Sequence, residues 1–291
     1  MPKEENLSSY LRKEISKTGF PLEIEISSVL DKDWMVYNND PYVDEDEEKT
    51  REIDIYAIHT SSIFSENELK RRDIFIVTSN LIVECKKATT HAWIFFTRPR
   101  PFDWVPGPPD GHTFDFLEAF SNGKQSFLEP LRLPKTHYDR FPRVAYNYVE
   151  AKLQKDVRSE SSSIFEAQNQ LWKCLSYNSK IWREMFEKDR SSRAITVFFP
   201  AIVLDGELFE ATGPSANVRL TRSHHVLLSI SRRAKPLGPS MKDFLIDVVR
   251  KENFGDYMKM VKSDIVLIKK YFSTNRARLA KEADEAVERL P

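Results

Sequence analysis

The chain has 291 residues, 41% hydrophobic and 30% charged, with 44 lysines and arginines balanced by 44 aspartates and glutamates. That length buries a substantial core, as one enlarged α/β domain or two small ones, while the neutral total gives no charge-based case for a polyanionic partner. Two cysteines exclude a disulfide framework and zinc spacing, and no run approaches the ~20 apolar residues of a membrane span, so with a polar stretch at Met1 to Asn6 a cytoplasmic location is expected.

Leu7 to Lys17 reads as a first helix, followed by Gly19-Phe20 and a strand from Leu22 to Val29. Trp34 to Tyr37 and Arg51 to Ile58 read as an antiparallel pair, with Asn38 to Thr50 as a long loop at its tip. The acidic run Asp44 to Glu48 falls in that loop and reads as a hydrated connection, because five consecutive charges repel. A tip of this kind can approach a substrate. Ile74 to Val77 and Leu81 to Cys85 are strand-like and separated by Thr78-Ser79-Asn80, as a hairpin or as one bent strand; Trp93 to Phe96 is apolar.

From Arg98 to Pro142 the texture changes. Pro99, Pro101, Pro106, Pro108, Pro109, Pro130, Pro134 and Pro142 break any long helix or central strand, and Phe102, Trp104, Phe114, Phe116, Phe120 and Phe127 sit among them. Residues 98–160 read as an aromatic, proline-rich insertion packed on the core, with Tyr146 to Asp156 as a short helix within it. Ser163-Ile-Phe-Glu166 is a capping box that starts a helix, whose buried stripe is Phe165, Trp172 and Leu175, with Gln168 on the same side.

Ala194 to Leu204 is a continuous β-branched and aromatic run, the pattern of a strand covered on both faces, with Pro200 marking a bulge or an end. Asp205-Gly206 reads as a hairpin turn into Glu207 to Ala211, and Val226 to Ile230 as another strand. Ser240 to Lys251 reads as a helix with Phe244, Leu245, Val248 and Val249 on one side, followed by a helix from Asp256 to Phe272. Asn275 to Leu290 reads as a solvated terminal helix open to homodimer contacts, so 240–291 forms a helical extension. The expected fold is α/β, one domain over 1–291, with a central mixed β-sheet flanked by helices. With 8 glycines, no Walker or dinucleotide motif is present.

Two of these strands carry charge where burial is expected: Arg51-Glu-Ile-Asp-Ile-Tyr56 and Leu81-Ile-Val-Glu-Cys-Lys-Lys87. Strand alternation puts Ile53 and Ile55 on one side and Asp54 on the other. It likewise separates Leu81, Val83 and Cys85 from Ile82, Glu84 and Lys86. Two carboxylates that meet resist ionising unless a cation sits between them, and a hard metal such as magnesium suits that need. A lysine two residues beyond the glutamate then stabilises developing negative charge or holds a water. The plainer alternative is a solvent-facing strand pair with ordinary surface ion pairs. Cys85 reads as a small packed residue in preference to a thiol nucleophile beside Lys86 and Lys87. The adjacent His224 and His225 point to opposite faces and make a poor chelate.

At these residues the chain resembles the PD-(D/E)xK nuclease superfamily, whose restriction-endonuclease-like fold has an αβββαβ core. Asp54 matches the motif aspartate and Glu84-Cys85-Lys86 the (D/E)-x-K element, while Ile53 replaces the proline that often precedes the aspartate. The order of helix, glycine and strand upstream also fits, and the resemblance covers residues 1–90 best. It implies that Asp54 and Glu84 hold Mg²⁺, with Mn²⁺ able to substitute, helped by the Cys85 backbone carbonyl, and that Lys86 orients the attacking water. Some families add an acid on the first helix, carried here to Glu14, and a polar residue from the helix after the catalytic strand, carried here to Gln168. The implied activity is a metal-dependent phosphodiesterase, an endonuclease on DNA in preference to RNA. Lys87, Arg98 and Arg100 would then contact phosphates and Trp104 or Phe102 stack on bases, with Lys70-Arg71-Arg72 and Arg232-Arg233 with Lys235 as further basic clusters. Two other readings stand beside it: a catalytically silent member of the fold that binds nucleic acid or a protein, and an α/β interaction protein of a different fold.

Overall fold

The computed structural model describes residues 4–16, 18–30, 32–63, 75–99, 118–121, 124–125, 136–153, 163–188, 193–233, 241–275 and 277–278. The chain begins with two helices, α1 (Glu4–Ile15) and α2 (Phe20–Val29), and continues into an antiparallel pair, β1 (Met35–Asp44) and β2 (Lys49–Ile63). The third strand, β3 (Phe75–Pro99), is long and pairs with β2 from Ile55/Val83 to Ile63/Phe75. Short strands β4 (Glu118–Ser121) and β5 (Lys124–Gln125) and a single helical turn, α3 (His137–Arg140), lead to β6 (Arg143–Lys152). Helix α4 (Ser163–Lys188) then delivers the chain to β7 (Arg193–Thr212), which lies parallel to β3 with Glu84 opposite Ile202. A parallel neighbour requires such a crossover, and α4 supplies it. Strands β8 (Arg219–Arg222), β9 (His225–Arg233) and β10 (Met241–Arg250) and helix α5 (Phe254–Thr274) complete the order.

All the strands belong to one large mixed sheet, so the fold is α/β. Its first part runs β1-β2-β3-β7. The far half of β3 pairs antiparallel with β6, β6 meets β9 at Ala145/Leu228, and β9 pairs with β10, which returns parallel to β7. The sheet therefore curls back on itself beyond the β2 pairing. One face carries Leu81, Val83, Cys85, Val203 and Val249 against α2 and α5; the other carries Ile82, Ile202, Leu204 and Val248 against α4. Among the described residues no helix is long and apolar enough to cross a membrane.

Several expectations are corrected. Leu22 to Val29 is helical: Pro21 sits in the first turn of α2, where a preset φ favours a helix, and Leu22, Glu23 and Ile26 are buried at helical spacing. The alternating Leu-Glu-Ile-Glu-Ile imitates a strand because a short amphipathic helix can carry the same letters. The helix expected at Ser240 to Lys251 is the reverse case: Met241–Arg250 is a strand, buried on both faces from Leu245 on, whose unbroken apolar run lacks a period that separates it from a helix. The helix expected at Tyr146 to Asp156 is not found over its described part, since β6 runs to Lys152 as part of the main sheet, and 154–156 lie outside the described residues. The insertion thus contributes to the sheet, and the extension from residue 240 is only partly helical.

Asp205-Gly206 makes no turn. Strand β7 continues through it, and a side chain at Gly206 would lie 2.7 Å from the Ala88 carbonyl oxygen, so glycine permits a close approach of β3. Thr78-Ser79-Asn80 lies buried in continuous strand, where Asn80 accepts from Tyr56 Oη at 2.7 Å and donates to the Val197 carbonyl at 3.3 Å. The long loop at 38–50 is instead a tight turn at Glu45 to Glu48. Asp44, 1% exposed, accepts from Arg51 at 2.7 Å and from Lys173 of α4 at 2.6 Å, and these bonds overcome burial to hold its pKa below the usual carboxylate value.

Helix α4 starts at Ser163 as expected, but its cap comes from across the fold: Glu150 of β6 accepts from Ser163 Oγ and from the Ile164 N–H. Its buried stripe is Ile164, Ala167, Leu171, Cys174 and Leu175, and Phe165 is exposed. Helix α5 agrees with expectation and adds a buried network on the opposite face. His137 bonds through Nδ1 to Asp264 and through Nε2 to Asp247, which also accepts from His225 Nε2 at 2.7 Å.

Candidate active site

The ladder between β2 and β3 stops at Ile55/Val83, one pair short of Asp54 and Glu84. Alternation also breaks here: Ile53 packs with the α4 face, whereas Ile55 packs with the α2 and α5 face. The expectation that Ile53 and Ile55 share a side fails for this reason. Asp54 takes up the interrupted ladder with its side chain, whose Oδ2 accepts the Cys85 N–H at 2.6 Å. The Cys85 carbonyl leaves β3 by the same edge as its N–H, toward Asp54.

Glu84 points to the α4 face as its position in the alternation requires, and it is 1% exposed. Its Oε1 accepts from Lys86 Nζ at 2.6 Å, while its Oε2 is buried without a hydrogen-bond partner. Lys86 also donates to Gln170 Oε1 of α4 at 3.2 Å. Gln168 is buried with its Nε2 unpartnered, so the glutamine that reaches the lysine is the one two residues further on.

A third acid enters from α2. Glu23 is 8% exposed, and burial followed by the charge of Asp54 raises its pKa, with Lys86 opposing. Glu14 lies half-buried one helix earlier. The strand assignment for Leu22 to Val29 hid Glu23; the available signal was Pro21 beside Gly19-Phe20, a helix start that turns Glu23 inward with Ile26.

Electrostatics ties these groups together. Burial and then the Asp54 charge push Glu84 up to about 8 despite Lys86. Burial raises Asp54 as well, against the Cys85 N–H and Lys86. Burial works against the Lys86 ammonium, but Glu84 outweighs it and raises the lysine pKa, so Lys86 is a cation and a donor. Burial, then Asp54 and Glu84, push the Cys85 thiol well up, which removes it as a nucleophile. The Asp54 charge helps hold the Glu84 proton on, and a cation beside the pair would release it.

The surrounding groups are less convergent. Lys87 is exposed and its Nζ donates to the Ser16 carbonyl, tying the α1–α2 connection to β3. Arg98 stands over the Tyr146 ring at 3.9 Å, twelve residues along β3 from Lys86, or roughly 40 Å of strand contour. Arg100, Phe102, Trp104, Lys70 to Arg72 and Lys235 lie outside the described residues, as does Asn275 to Leu290 beyond Arg278.

Protein-family models, curated proteins and solved structures gave no match to this chain.

Among the described residues no group of three or more His, Cys, Asp or Glu side chains forms a ready metal cage. Magnesium does not require one, since it is bound through one or two carboxylates with several waters retained. The orphaned Glu84 Oε2 and the two carboxylates raised by burial fit such an ion.

Proposed function

We propose that this protein is a metal-dependent nuclease of the PD-(D/E)xK type, hydrolysing phosphodiester bonds in nucleic acid, with DNA as the expected substrate. The observation that carries this reading is the meeting of Asp54, Glu84 and Lys86 where β2 and β3 part, with one glutamate oxygen buried and unpartnered. Part of the element order supports it: a helical start and three antiparallel strands with the acids on the second and third, then, after β4, β5, α3 and β6, the crossover helix α4 and the parallel strand β7.

Glu84 Oε2, Asp54 and the Cys85 carbonyl would hold the ion, and Glu23 of α2 feels the charge of Asp54 from beside them. A bound Mg²⁺ or Mn²⁺ supplies Lewis-acid neutralisation of the phosphate and leaving oxygen and lowers the pKa of its water. Lys86, as an ammonium, cannot accept the water's proton; it donates, orienting the attacking oxygen or meeting charge on phosphorus-bound oxygens. Gln170 fixes the lysine from the α4 side. Cys85 N–H fixes one Asp54 oxygen and leaves the other for a ligand.

A cleavage panel tests the reading: Mg²⁺ and Mn²⁺, with duplex, single-stranded, branched and modified DNA and RNA. Metal-dependent cutting of at least one DNA substrate is expected. Tight binding with no turnover on any substrate would instead identify a silent nucleic-acid-binding member of the fold.

A further inference from the structure

Helix α1 carries an apolar stripe that the fold leaves in solvent. Leu7, Leu11 and Ile15 recur every fourth residue, and Tyr10 stands one turn from Leu7, so the four share one side of the helix. All four are 47–58% exposed, and no residue from Leu7 to Ile15 is buried. Glu14, on the same side, is half-buried and has a partner of its own in the chain. The helix is tied at its end, where Lys87 Nζ donates to the Ser16 carbonyl. A helix of 12 residues is marginal in water without tertiary packing, so α1 draws its stability from whatever covers this stripe.

Charge along the helix selects the occupant. The sequence of α1 opens on Glu4-Glu5 and closes on Arg12-Lys13. Two copies laid antiparallel about a two-fold axis set the acidic start of each beside the basic end of the other, with both apolar stripes between them. A parallel pair would set like charges together. The four side chains expose roughly 450 Å², a large patch for a lone chain, and a pair that covers them along with the flanking polar side chains clears the ~1,000 Å² of a specific interface. A bilayer surface fits less well. Helices that lie on membranes carry Lys and Arg along their polar side, whereas α1 holds three acids against two bases.

We propose that α1 is a homodimer contact, in which two copies of this chain pack antiparallel through Leu7, Tyr10, Leu11 and Ile15. The contact does not depend on the nuclease reading.

Sedimentation velocity of the full chain from about 1 to 100 µM tests it, a range suited to an interface near the lower size limit. The wild type is expected to dimerise. Leu7→Gln/Leu11→Gln keeps helix propensity, removes both leucines from the stripe and is expected to dimerise at least about 30-fold more weakly. Charge variants give a readout that misfolding does not imitate. Arg12→Glu/Lys13→Glu and Glu4→Lys/Glu5→Lys each set like charges together, and each alone is expected to dimerise about tenfold more weakly. Mixed in equal amounts, the two associate as a heterodimer at close to the wild-type strength.

A wild type that stays monomeric throughout overturns the proposal, and so does a dimer that the leucine substitutions leave unaltered. A mixture as weak as its two components overturns the antiparallel arrangement. A monomer that sediments with phosphatidylcholine–phosphatidylserine vesicles, and no longer does so as Leu7→Gln/Leu11→Gln, assigns the stripe to a membrane surface and overturns the dimer.

Discussion

Asp54 accepts the backbone N–H of Cys85 at 2.6 Å, so a side chain completes the strand pairing that the β2–β3 ladder abandons at Ile55 and Val83. This gives Asp54 a structural duty and a chemical one, and the two separate by substitution. Asp54→Asn keeps an acceptor for the amide and is expected to leave unfolding free energy within about 1 kcal/mol of the wild type while metal-dependent cleavage falls at least about 100-fold. Asp54→Ala loses the cleavage too, and also destabilises by about 1–3 kcal/mol because the Cys85 N–H is left without a partner. Urea unfolding and a cleavage assay read the two effects apart.

Glu23 makes a sharper claim, because the sequence motif does not contain it. If it shares the site, Glu23→Gln lowers Mn²⁺ affinity by roughly tenfold in calorimetry and leaves the circular dichroism unchanged. Glu14→Gln serves as the comparison on α1 and is expected to change affinity little. Equal Mn²⁺ affinity in wild type and Glu23→Gln would remove Glu23 from the site.

The buried network around His137 sets the pH range of stability. Burial opposes the imidazolium, but Asp247 and Asp264 outweigh it and raise His137 from 6.5 to about 9. A raised histidine contributes its full stabilisation below pH 6.5 and loses it as pH rises through about 9, on the order of 3 kcal/mol. Asp247 is opposite in sign: burial is outweighed by His137 and His225, its pKa is lowered, and its contribution is present above about pH 4 and lost as pH falls further. These two groups together favour the range from about pH 4 to 6.5, and Glu84, raised to about 8, adds a loss of its own as pH rises. Urea midpoints from pH 3 to 10 should fall on both sides of that window; a flat profile between pH 6 and 9.5 would show that His137 is not a buried cation.

The acidic turn offers a contrast between two neighbours. Asp44 is buried between Arg51 and Lys173, whereas Glu45 and its partner Lys180 are both well exposed. Asp44→Ala is expected to lower the thermal midpoint by several degrees by leaving Lys173 of α4 only its longer contact with Glu47, 3.9 Å, and Glu45→Ala to leave it nearly unchanged. Equal shifts in calorimetry would mean the buried pair holds β1 to α4 no better than a surface contact does.

The sequence was most legible where one face is wet and the other dry. The β1–β2 pair, the alternation of Leu81 to Lys86, and the start of α4 all follow from residue pattern, and each is found in place. It was least legible where burial is two-sided or where a helix is brief. Met241 to Arg250 has apolar residues on both faces, so its period vanishes, and with it went any sign that Asp247 is the buried hub of a histidine network. Phe20 to Val29 is one strand's length, and its letters alternate. The acids at Asp54 and Glu84 were readable because charge inside an apolar alternation is unusual. Glu23 and Gln170 were not, because tertiary packing of α2 and α4 alone decides which of several polar residues faces the strands. The resemblance of 1–90 to a nuclease motif pointed to the strand pair, and the break in pairing beside Asp54 supplies the physical reason two acids can meet there.

The most direct measurement is Mg²⁺-dependent cleavage of DNA by the wild type and by Asp54→Asn, Glu84→Gln and Lys86→Met, each verified as folded by circular dichroism. The wild type is expected to cut with Mg²⁺ and to stop in EDTA, with each variant slower by about 100-fold or more. Cleavage at wild-type rate in all three variants would contradict the assignment of these side chains to catalysis.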